Sequence, residues 1–436
     1  MTTADDPSLL ATSGRAATAR APAPKTVRDP RLDFFRGIAM FIILCAHTPQ
    51  NFFTSWIPAR WGFSDATEIF VFCSGMASAI AFGKAFEQRG WLMGTARVSH
   101  RVWQVYWSHI GMFFAIAAFL AGIDAIGNFE KSYINTLNLT RFYADASVFI
   151  VGLFTLTYVP NYFDILPMYL VILAMMPILI ALQRVSFSLA AATVIIVWFL
   201  AQSRMLEWFG WEGLHFALPA ELPSDYLKER EISRTWFFNP FGWQLVFFTG
   251  FALMRGWIPA PPVKTWLIAL CAVIVLMNVP FSSIGVREFN GWALSLFGAD
   301  VEWQKFAREW RIDNRVFITK SDFGLFRYLH FLAVAYLAWV AAGHKGHRLI
   351  ATGAGFFSDA WRGFVAVVMK VGQQSLAVFI FSMFFARFIG FAMDIIGRTT
   401  LKMTIANLIG FLALILVAYS VAWFKSQPWR KKVQPA

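Results

Sequence analysis

Residues 32–47 read LDFFRGIAMFIILCAH, an apolar run that contains Arg36 near its start and His47 at its end. A helix needs about 20 mostly apolar residues to cross a bilayer, and residues 34–53 supply that length. The run therefore predicts a membrane-spanning helix with two ionisable side chains. The recurrence of similar runs along the chain decides the fold.

Apolar runs of spanning length recur along the whole chain. Of its 436 residues, 58% are hydrophobic and only 14% are charged, whereas a soluble domain carries about 25% charged residues. The stretch 146–160 is apolar but short and ends in Pro160, which predicts a re-entrant or interfacial segment. Besides residues 34–53, we predict spans at 66–86, 103–123, 165–183, 187–203, 237–255, 264–281, 325–342, 373–395 and 404–424.

These runs predict an all-α integral membrane protein with about ten transmembrane helices. A bundle of spanning helices forms one domain, so we assign residues 31–425 to a single transmembrane domain. Residues 1–30 are rich in Ala, Thr, Pro and Arg and lack an apolar core, which predicts a disordered cytoplasmic tail. Residues 426–436 are basic and predict a second cytoplasmic tail.

The distribution of Lys and Arg predicts the orientation in the membrane. The net charge is +13, and basic residues concentrate in the two tails and in the loop after the second span, so both termini are expected inside. Two long outer segments, 204–236 and 286–324, contain several Trp residues at helix-like spacing and predict interfacial helices. Because the basic residues form no single face, we expect no nucleic-acid binding.

The three cysteines, Cys45, Cys73 and Cys271, all lie within apolar runs. None has the spacing of a metal ligand. We interpret them as small core residues, and we expect neither a disulfide framework nor a metal or redox cofactor.

Arg36 and His47 share one face of the first helix. They are eleven residues apart, which is three turns plus only about 20°. The rise between them is about 16 Å, roughly half the hydrocarbon core. The helix therefore presents a cation near the cytoplasmic surface and an imidazole deeper in the membrane.

This geometry suits transfer of an acyl group from acyl-CoA. Arg matches the geometry of phosphate, and His has a pKa suited to general-base catalysis. Each residue also has a structural interpretation, since a buried His can bond a neighbouring helix and an Arg can extend to the interface. The basic loop after the second span, with Arg97 and Arg101, can share the phosphates of the donor.

Several segments resemble one family of membrane acyltransferases. The pattern Leu32-Asp33-x-x-Arg36-Gly37-Ile38-Ala39 with His47, and the segment Phe70-Val71-Phe72-Cys73-Ser74-Gly75, are similar to the first two helices of the acyltransferase-3 superfamily. Within it, the chain most resembles the OpgC family, which succinylates osmoregulated periplasmic glucans. The supporting segments are Asp65–Phe70, Asp164–Tyr169, Asn239–Gln244 and Leu329-His330-Phe331.

The resemblance implies an acyltransferase-3-like bundle in the bacterial inner membrane. It implies an O-acyltransferase that takes succinyl, or another short acyl group, from a cytoplasmic acyl-CoA (succinyl-CoA or acetyl-CoA) and transfers it to hydroxyls of a periplasmic glucan. Acyl-CoA is a co-substrate, so no permanently bound cofactor is expected, and a homo-oligomer is possible. In this interpretation His47 is the base, and Glu68, with Asp65 nearby, accepts the far N–H of the imidazole and orients the ring. The residues expected to bind the donor are Arg36, Arg97, Arg101, Ser74 and Arg387. Those expected to bind the acceptor are Asp164, Asn239, Gln244 and His330.

The sequence leaves open the role of Arg387, the identity of the acceptor and the choice between an enzyme and a transporter. Arg387 can grip the free carboxylate of a succinyl group or form an ion pair with Asp394, two turns further on. The acceptor can be another surface polysaccharide or a lipid head group instead of a glucan. A transporter of an anionic metabolite is the main alternative outside enzymes.

Overall fold

The structure is a computed structural model that describes residues 29–127, 129–216, 236–283 and 302–430. All regular elements in these ranges are helical. The predicted tails 1–30 and 426–436, and parts of the predicted outer segments, fall largely or partly outside the described residues. The longer helices are α1 (Pro30–His47), α2 (Ala66–Ile126), α3 (Ala146–Phe154), α4 (Ile165–Val185), α5 (Phe187–Leu200), α6 (Pro240–Arg255), α7 (Thr265–Asn278), α8 (Glu302–Asp313), α9 (Leu325–Ala342), α10 (Phe356–Gln373), α11 (Ser375–Ile396) and α12 (Thr400–Ser426).

Shorter helical turns connect these helices. The α-helical ones are Pro58–Trp61, Thr140–Ala144, Ser203–Leu206 and Arg315–Ile318. The 3-10 turns are Phe52–Trp56, Ile134–Leu137, Glu207–Phe209 and His344–Leu349. The predicted segment 146–160 forms the short helix α3 and a turn.

Local sequence sets both ends of α1. Asp29 caps the first turn by accepting the backbone N–H of Arg31 at 3.0 Å, and Pro30 occupies the first helical position. The helix stops at His47, because Thr48 is extended and precedes Pro49, which disfavours a helical residue before it. His47 is therefore the last residue of α1, eleven residues after Arg36.

The helix α2 consists of two arms. Asp65 and Glu68 form a capping box at its start. Gly90 has φ 80° and ψ 176°, a backbone conformation that essentially only glycine adopts. A Cβ on Gly94 would lie 2.3 Å from the Phe86 ring, although eight residues of straight helix span about 12 Å. The chain therefore reverses at Gly90, and two of the predicted spans, 66–86 and 103–123, become the two arms.

Five helices are long and apolar enough to cross a membrane in the described part of the chain: α2, α4, α9, α11 and α12. A sixth is reached if α5 and the turn after it, bent by 75°, count as one span. The helices α6 and α7 have 16 and 14 residues, and α1 carries three charged residues in its first seven positions. The ten apolar segments are thus helical, while the count of ten spans and their orientation stay predictions.

The core of the bundle surrounds α1 and the first arm of α2. The helix α1 packs against α2, α10 and α11, and α2 packs against α4 and α6. A Cβ on Gly37 would lie 2.0 Å from the carbonyl oxygen of Val368, so α10 approaches α1 as closely as glycine permits. The sequence did not predict α10, because residues 343–372 lie between two predicted spans and contain several basic residues. Its buried face (Val365, Val368, Val371) covers α1, and it leaves large apolar residues exposed (Phe356, Phe357, Trp361, Phe364).

Candidate functional site

His47 is held by its own helix. Its Nδ1 lies 2.8 Å from the carbonyl oxygen of Ile43, and a carbonyl oxygen can only accept, so Nδ1 carries the proton. In the neutral ring Nε2 then has the lone pair. The ring is half-buried and packs edge-on against Tyr162, with 5.3 Å between the ring centres. This imidazole has the tautomer that a general base requires.

The carboxylates at the start of α2 pair with cations from residues 320–327. Glu68 accepts a hydrogen bond from Arg327 at 2.6 Å and another from the backbone N–H of Asp65 at 2.8 Å. Asp65 accepts from Lys320 Nζ at 2.5 Å and from the backbone N–H of Thr67 at 2.6 Å. The two acids and two cations form a compact group at the end of the bundle that holds His47.

This arrangement corrects the expected role of Glu68. We expected its carboxylate to accept the far N–H of the imidazole and orient the ring. The carbonyl of Ile43 already accepts that proton, and both oxygens of Glu68 have other partners. Glu68 and Asp65 therefore shape the surroundings of His47 without contacting it through a described hydrogen bond.

Asp65 keeps its negative charge although it is buried. Burial raises the pKa of its carboxyl, but the charges of Lys320 and Arg327 lower it by more. The net pKa lies well below the ordinary value of 3.8. The charges of Arg387, Lys320 and Asp65 all act on His47, so the ion pairs belong to its electrostatic environment.

A cavity of ≈ 300 Å³ lies at the other end of α1, and we call it the Arg36 cavity. Four of the five residues predicted to bind the donor line it, and Arg36 also donates to the carbonyl of Cys73 at 2.9 Å. Among the described residues no carboxylate lines this cavity, and three arginines do. The lining residues are Arg36, Phe70, Ser74, Ala77, Ser78, Ala81, Phe82, Arg97, His100, Arg101, Gln104, Leu166, Tyr169, Ser375 and Leu376.

The Arg36 cavity extends along one face of α2. Its lining follows one face of α2 from Phe70 to Phe82, twelve residues or about 18 Å of helix. Arg97 and Arg101, on the second arm, lie at the Phe82 end, because the two arms meet at Gly90. Phe70 lies one turn from the start of α2, where the charges of Asp65 and Lys320 act on His47. The cavity therefore runs from the arginines toward the level of the imidazole.

Arg387 lies beside His47, not in the Arg36 cavity. Its guanidinium carbon lies 3.9 Å from the centre of the Tyr162 ring, whose edge contacts His47. The alternative ion pair with Asp394 does not form, since Asp394 binds Lys131 at 2.9 Å and Arg398 at 2.7 Å. Among the described residues, no carboxylate lies within ion-pair distance of Arg387.

The four residues predicted to bind the acceptor do not line either cavity described here. Asn239 caps α6, accepting from the backbone N–H of Phe241 at 3.1 Å and donating to Asp322 at 3.1 Å. Gln244 is buried and donates to the carbonyl of Val194 at 2.7 Å. Both side chains therefore connect elements of the bundle, and their assignment to the acceptor stays a prediction.

The other two predicted acceptor residues are also buried. His330 Nδ1 lies 2.8 Å from the Ser64 hydroxyl, and the ring fills the space beside Gly62. Asp164 is 2% exposed, and burial raises the pKa of its carboxyl well above 3.8 against the effect of a backbone hydrogen bond from Phe237. Neither residue lines the Arg36 cavity, and their binding of the acceptor stays a prediction.

A second cavity, the Lys320 cavity, has a volume of ≈ 650 Å³ and lies beside the ion pairs of Asp65 and Glu68. The sequence analysis did not identify it as a site. Its cations come from α8, from the turn that follows and from residues 319–327, which converge only in three dimensions. The lining residues are Phe237, Ser283, Arg308, Arg311, Ile312, Arg315, Ile318, Thr319, Lys320, Ser321 and Arg327.

Sequence reasoning also missed Tyr162. Its ring contacts both Arg387 and His47, and its hydroxyl donates to the carbonyl of Met383 at 2.6 Å. Its φ is 97°, which is rare for an aromatic residue and is found at functional sites. No sequence pattern indicates such a backbone conformation, so only the structure identifies it.

The chain matches one known protein family. The family described as OpgC protein matches residues 28–426, nearly the whole chain. No curated protein and no solved structure matches the chain. The predicted family resemblance is thereby confirmed.

Proposed function

The chain belongs to the OpgC family of membrane acyltransferases, and from this premise we propose that it succinylates a glucan. The donor is a cytoplasmic acyl-CoA, preferably succinyl-CoA. The acceptor is a sugar hydroxyl on the periplasmic side of the bacterial inner membrane.

One observation carries this proposal: the Arg36 cavity leads from a group of arginines toward the level of His47. Arg97 and Arg101 bind the phosphates of CoA, with Arg36 further along the cavity. The pantetheine arm lies extended along the face of α2 past Ser74. The length of the lining, about 18 Å, suits a thin flexible arm that carries the thioester to the far end.

The chemistry at that end needs one base. Nε2 of His47 accepts the proton of the sugar hydroxyl while the hydroxyl oxygen attacks the carbonyl carbon of the thioester. The carbon–sulfur bond breaks, an ester forms, and the thiolate of CoA leaves and is protonated. Nδ1 stays bonded to the carbonyl of Ile43, which keeps the ring in place. An acyl group carried by His47 itself would use the same Nε2.

Arg387 supplies selectivity for succinyl over neutral acyl groups. Its guanidinium and the His47 imidazole both contact the Tyr162 ring, and no described carboxylate pairs with Arg387. A free carboxylate at the end of the acyl chain provides the missing partner. The positive charge of Arg387, which acts on His47, then has the succinyl carboxylate as its counter-ion.

The test uses purified full-length protein in proteoliposomes with radiolabelled succinyl-CoA and a periplasmic glucan extract. We expect label on the glucan with the wild type and a loss of at least about 100-fold with His47→Ala, the usual contribution of a general base. His344→Ala is the matched control, because His344 is exposed and lies outside both cavities.

Two outcomes would contradict the proposal. Equal labelling by wild type and His47→Ala would assign His47 a structural role. Movement of the glucan across the bilayer without consumption of thioester would indicate a transporter.

A further inference from the structure

The Lys320 cavity is strongly basic. Five cations line its ≈ 650 Å³, namely Arg308, Arg311, Arg315, Lys320 and Arg327, and no acidic residue of the described part of the chain lines it. This cavity is larger than the Arg36 cavity. Its charge therefore needs an explanation beyond packing.

Only two of these cations have acidic partners in the described part of the chain. Lys320 pairs with Asp65, and Arg327 pairs with Glu68. No described carboxylate lies within ion-pair distance of Arg308, Arg311 or Arg315. The cavity thus gathers three positive charges without a described counter-ion.

The cations also repel one another. Burial and the nearby charge of Arg327 both lower the pKa of Arg311. Arg308, Arg311 and Arg315 are spaced three and four residues apart, which places them on the same side of α8 and the turn that follows it. A group of like charges around a cavity costs free energy unless an anion occupies it.

The cavity adjoins the catalytic end of α1. Lys320 lines it and binds Asp65, and both charges act on His47. The Arg36 cavity lies toward the opposite end of α1. A ligand of the Lys320 cavity therefore approaches the imidazole from the side away from the arginines assigned to the donor.

We propose that the Lys320 cavity binds an anionic substituent, a phosphate ester or a carboxylate, carried by the acceptor saccharide. The inference rests on the proposed function for the identity of the acceptor. Arginines bind both groups through paired hydrogen bonds, and the exposed ring of Phe237 at the wall offers a face to a sugar ring. The protein then prefers saccharides that already carry negative charge.

The experiment compares two acceptors that differ only in charge. Full-length protein in neutral phosphatidylcholine nanodiscs receives labelled succinyl-CoA and either a neutral glucose oligosaccharide or the same oligosaccharide with one phosphate ester. Rates give KM for each acceptor, and equilibrium binding of both oligosaccharides is measured without donor. The variants are Arg308→Gln/Arg315→Gln, both exposed positions, and the control Lys305→Gln, an exposed residue of α8 outside the cavity lining.

We expect the wild type and Lys305→Gln to show a KM for the phosphorylated acceptor that is lower on the order of ten-fold, as one or two charge-assisted hydrogen bonds imply. The double variant should lose most of this ratio. Raised salt should also reduce it, because exposed charges are screened.

Equal KM and equal binding for both acceptors in the wild type would overturn the inference and leave the proposed function standing. Charge-selective binding without transfer to either acceptor would support the inference and overturn the proposed function. Loss of the preference when phosphatidylglycerol is added to the nanodiscs would assign the cavity to a lipid head group and overturn the inference.

Discussion

The guanidinium of Arg387 lies 3.9 Å from the centre of the Tyr162 ring, on an aromatic side chain that also contacts His47. A cation over an aromatic face is attracted by the ring, so Tyr162 fixes the arginine beside the base. The carboxylate that the sequence suggested as its partner, Asp394, binds Lys131 and Arg398 instead. Arg387 is thus positioned by a ring and not neutralised by a described acid.

This relationship predicts a change in donor selectivity. Arg387→Gln should raise KM for succinyl-CoA on the order of ten-fold or more, because a charge-assisted hydrogen bond to the donor carboxylate is lost. KM for acetyl-CoA should change little, since that donor has no second carboxylate. Initial rates with both donors check the prediction, and an equal loss for the two would contradict it.

Tyr162 offers a matched pair of variants for the same question. Tyr162→Phe keeps the ring under the guanidinium and removes only the hydroxyl that donates to Met383. It should keep the succinyl preference, whereas Tyr162→Ala should lose it. If both variants keep the preference, the ring does not position Arg387.

The Arg36 cavity predicts which part of the donor the arginines bind. Arg97→Gln should raise KM for succinyl-CoA several-fold, because Arg97 is exposed in the cavity lining and loses a phosphate contact. It should not affect succinyl-pantetheine, which lacks the nucleotide phosphates. Arg89→Gln is the control, since Arg89 is exposed on the same helix α2 but lies outside the lining. An equal effect on both donors would move the phosphate site elsewhere.

The ion pair of Asp65 and Lys320 predicts a dependence of stability on pH. The folded state lowers the pKa of Asp65 below 3.8, so it favours the ionised carboxyl. The stability that the pair contributes is therefore present above a pH of about 4 and is lost as the pH falls further. Asp65→Asn should lower stability at pH 7 by about 2–3 kcal/mol, less than for a fully buried pair, because Lys320 keeps 29% side-chain exposure.

Thermal unfolding in detergent between pH 7 and pH 3 measures this effect. The difference between the wild type and Asp65→Asn should stay constant from pH 7 to about pH 4 and narrow as the pH falls toward 3. A constant difference across the range would show that the carboxylate charge does not stabilise the fold.

The reversal at Gly90 makes a prediction about the fold. Gly90→Ala should destabilise the protein by about 1–3 kcal/mol, because alanine is strained at φ 80° and ψ 176°. Gly111→Ala is the control in the same helix. A Cβ there meets nothing within 4 Å, and alanine favours helix by about 0.5–1 kcal/mol over glycine. Thermal stability of both variants checks the contrast, and equal values would place the reversal elsewhere.

The sequence by itself determined the class of fold and the placement of Arg36 and His47 on one helix face. Apolar runs of spanning length become helices in the structure because an apolar environment leaves the backbone no other partner for its hydrogen bonds. The spacing of Arg36 and His47 on one helix follows from helical geometry alone. The meeting of Ser74, Arg97 and Arg101 in one cavity also follows, since they lie on the two arms of α2 that meet at Gly90.

Tertiary structure alone decided the partners of the other charged residues. Glu68 bonds Arg327 from a segment more than 250 residues away, and Arg387 lies on Tyr162 from the loop before α4. The basic cavity forms because α8 and the start of α9 converge on the start of α2. A periodic pattern reports which face of a helix is apolar, but which helix meets that face depends on packing between segments distant in the chain. The lining of the Lys320 cavity was therefore hidden in the sequence, whereas the residues of the Arg36 cavity that lie on the two consecutive arms of α2 were not.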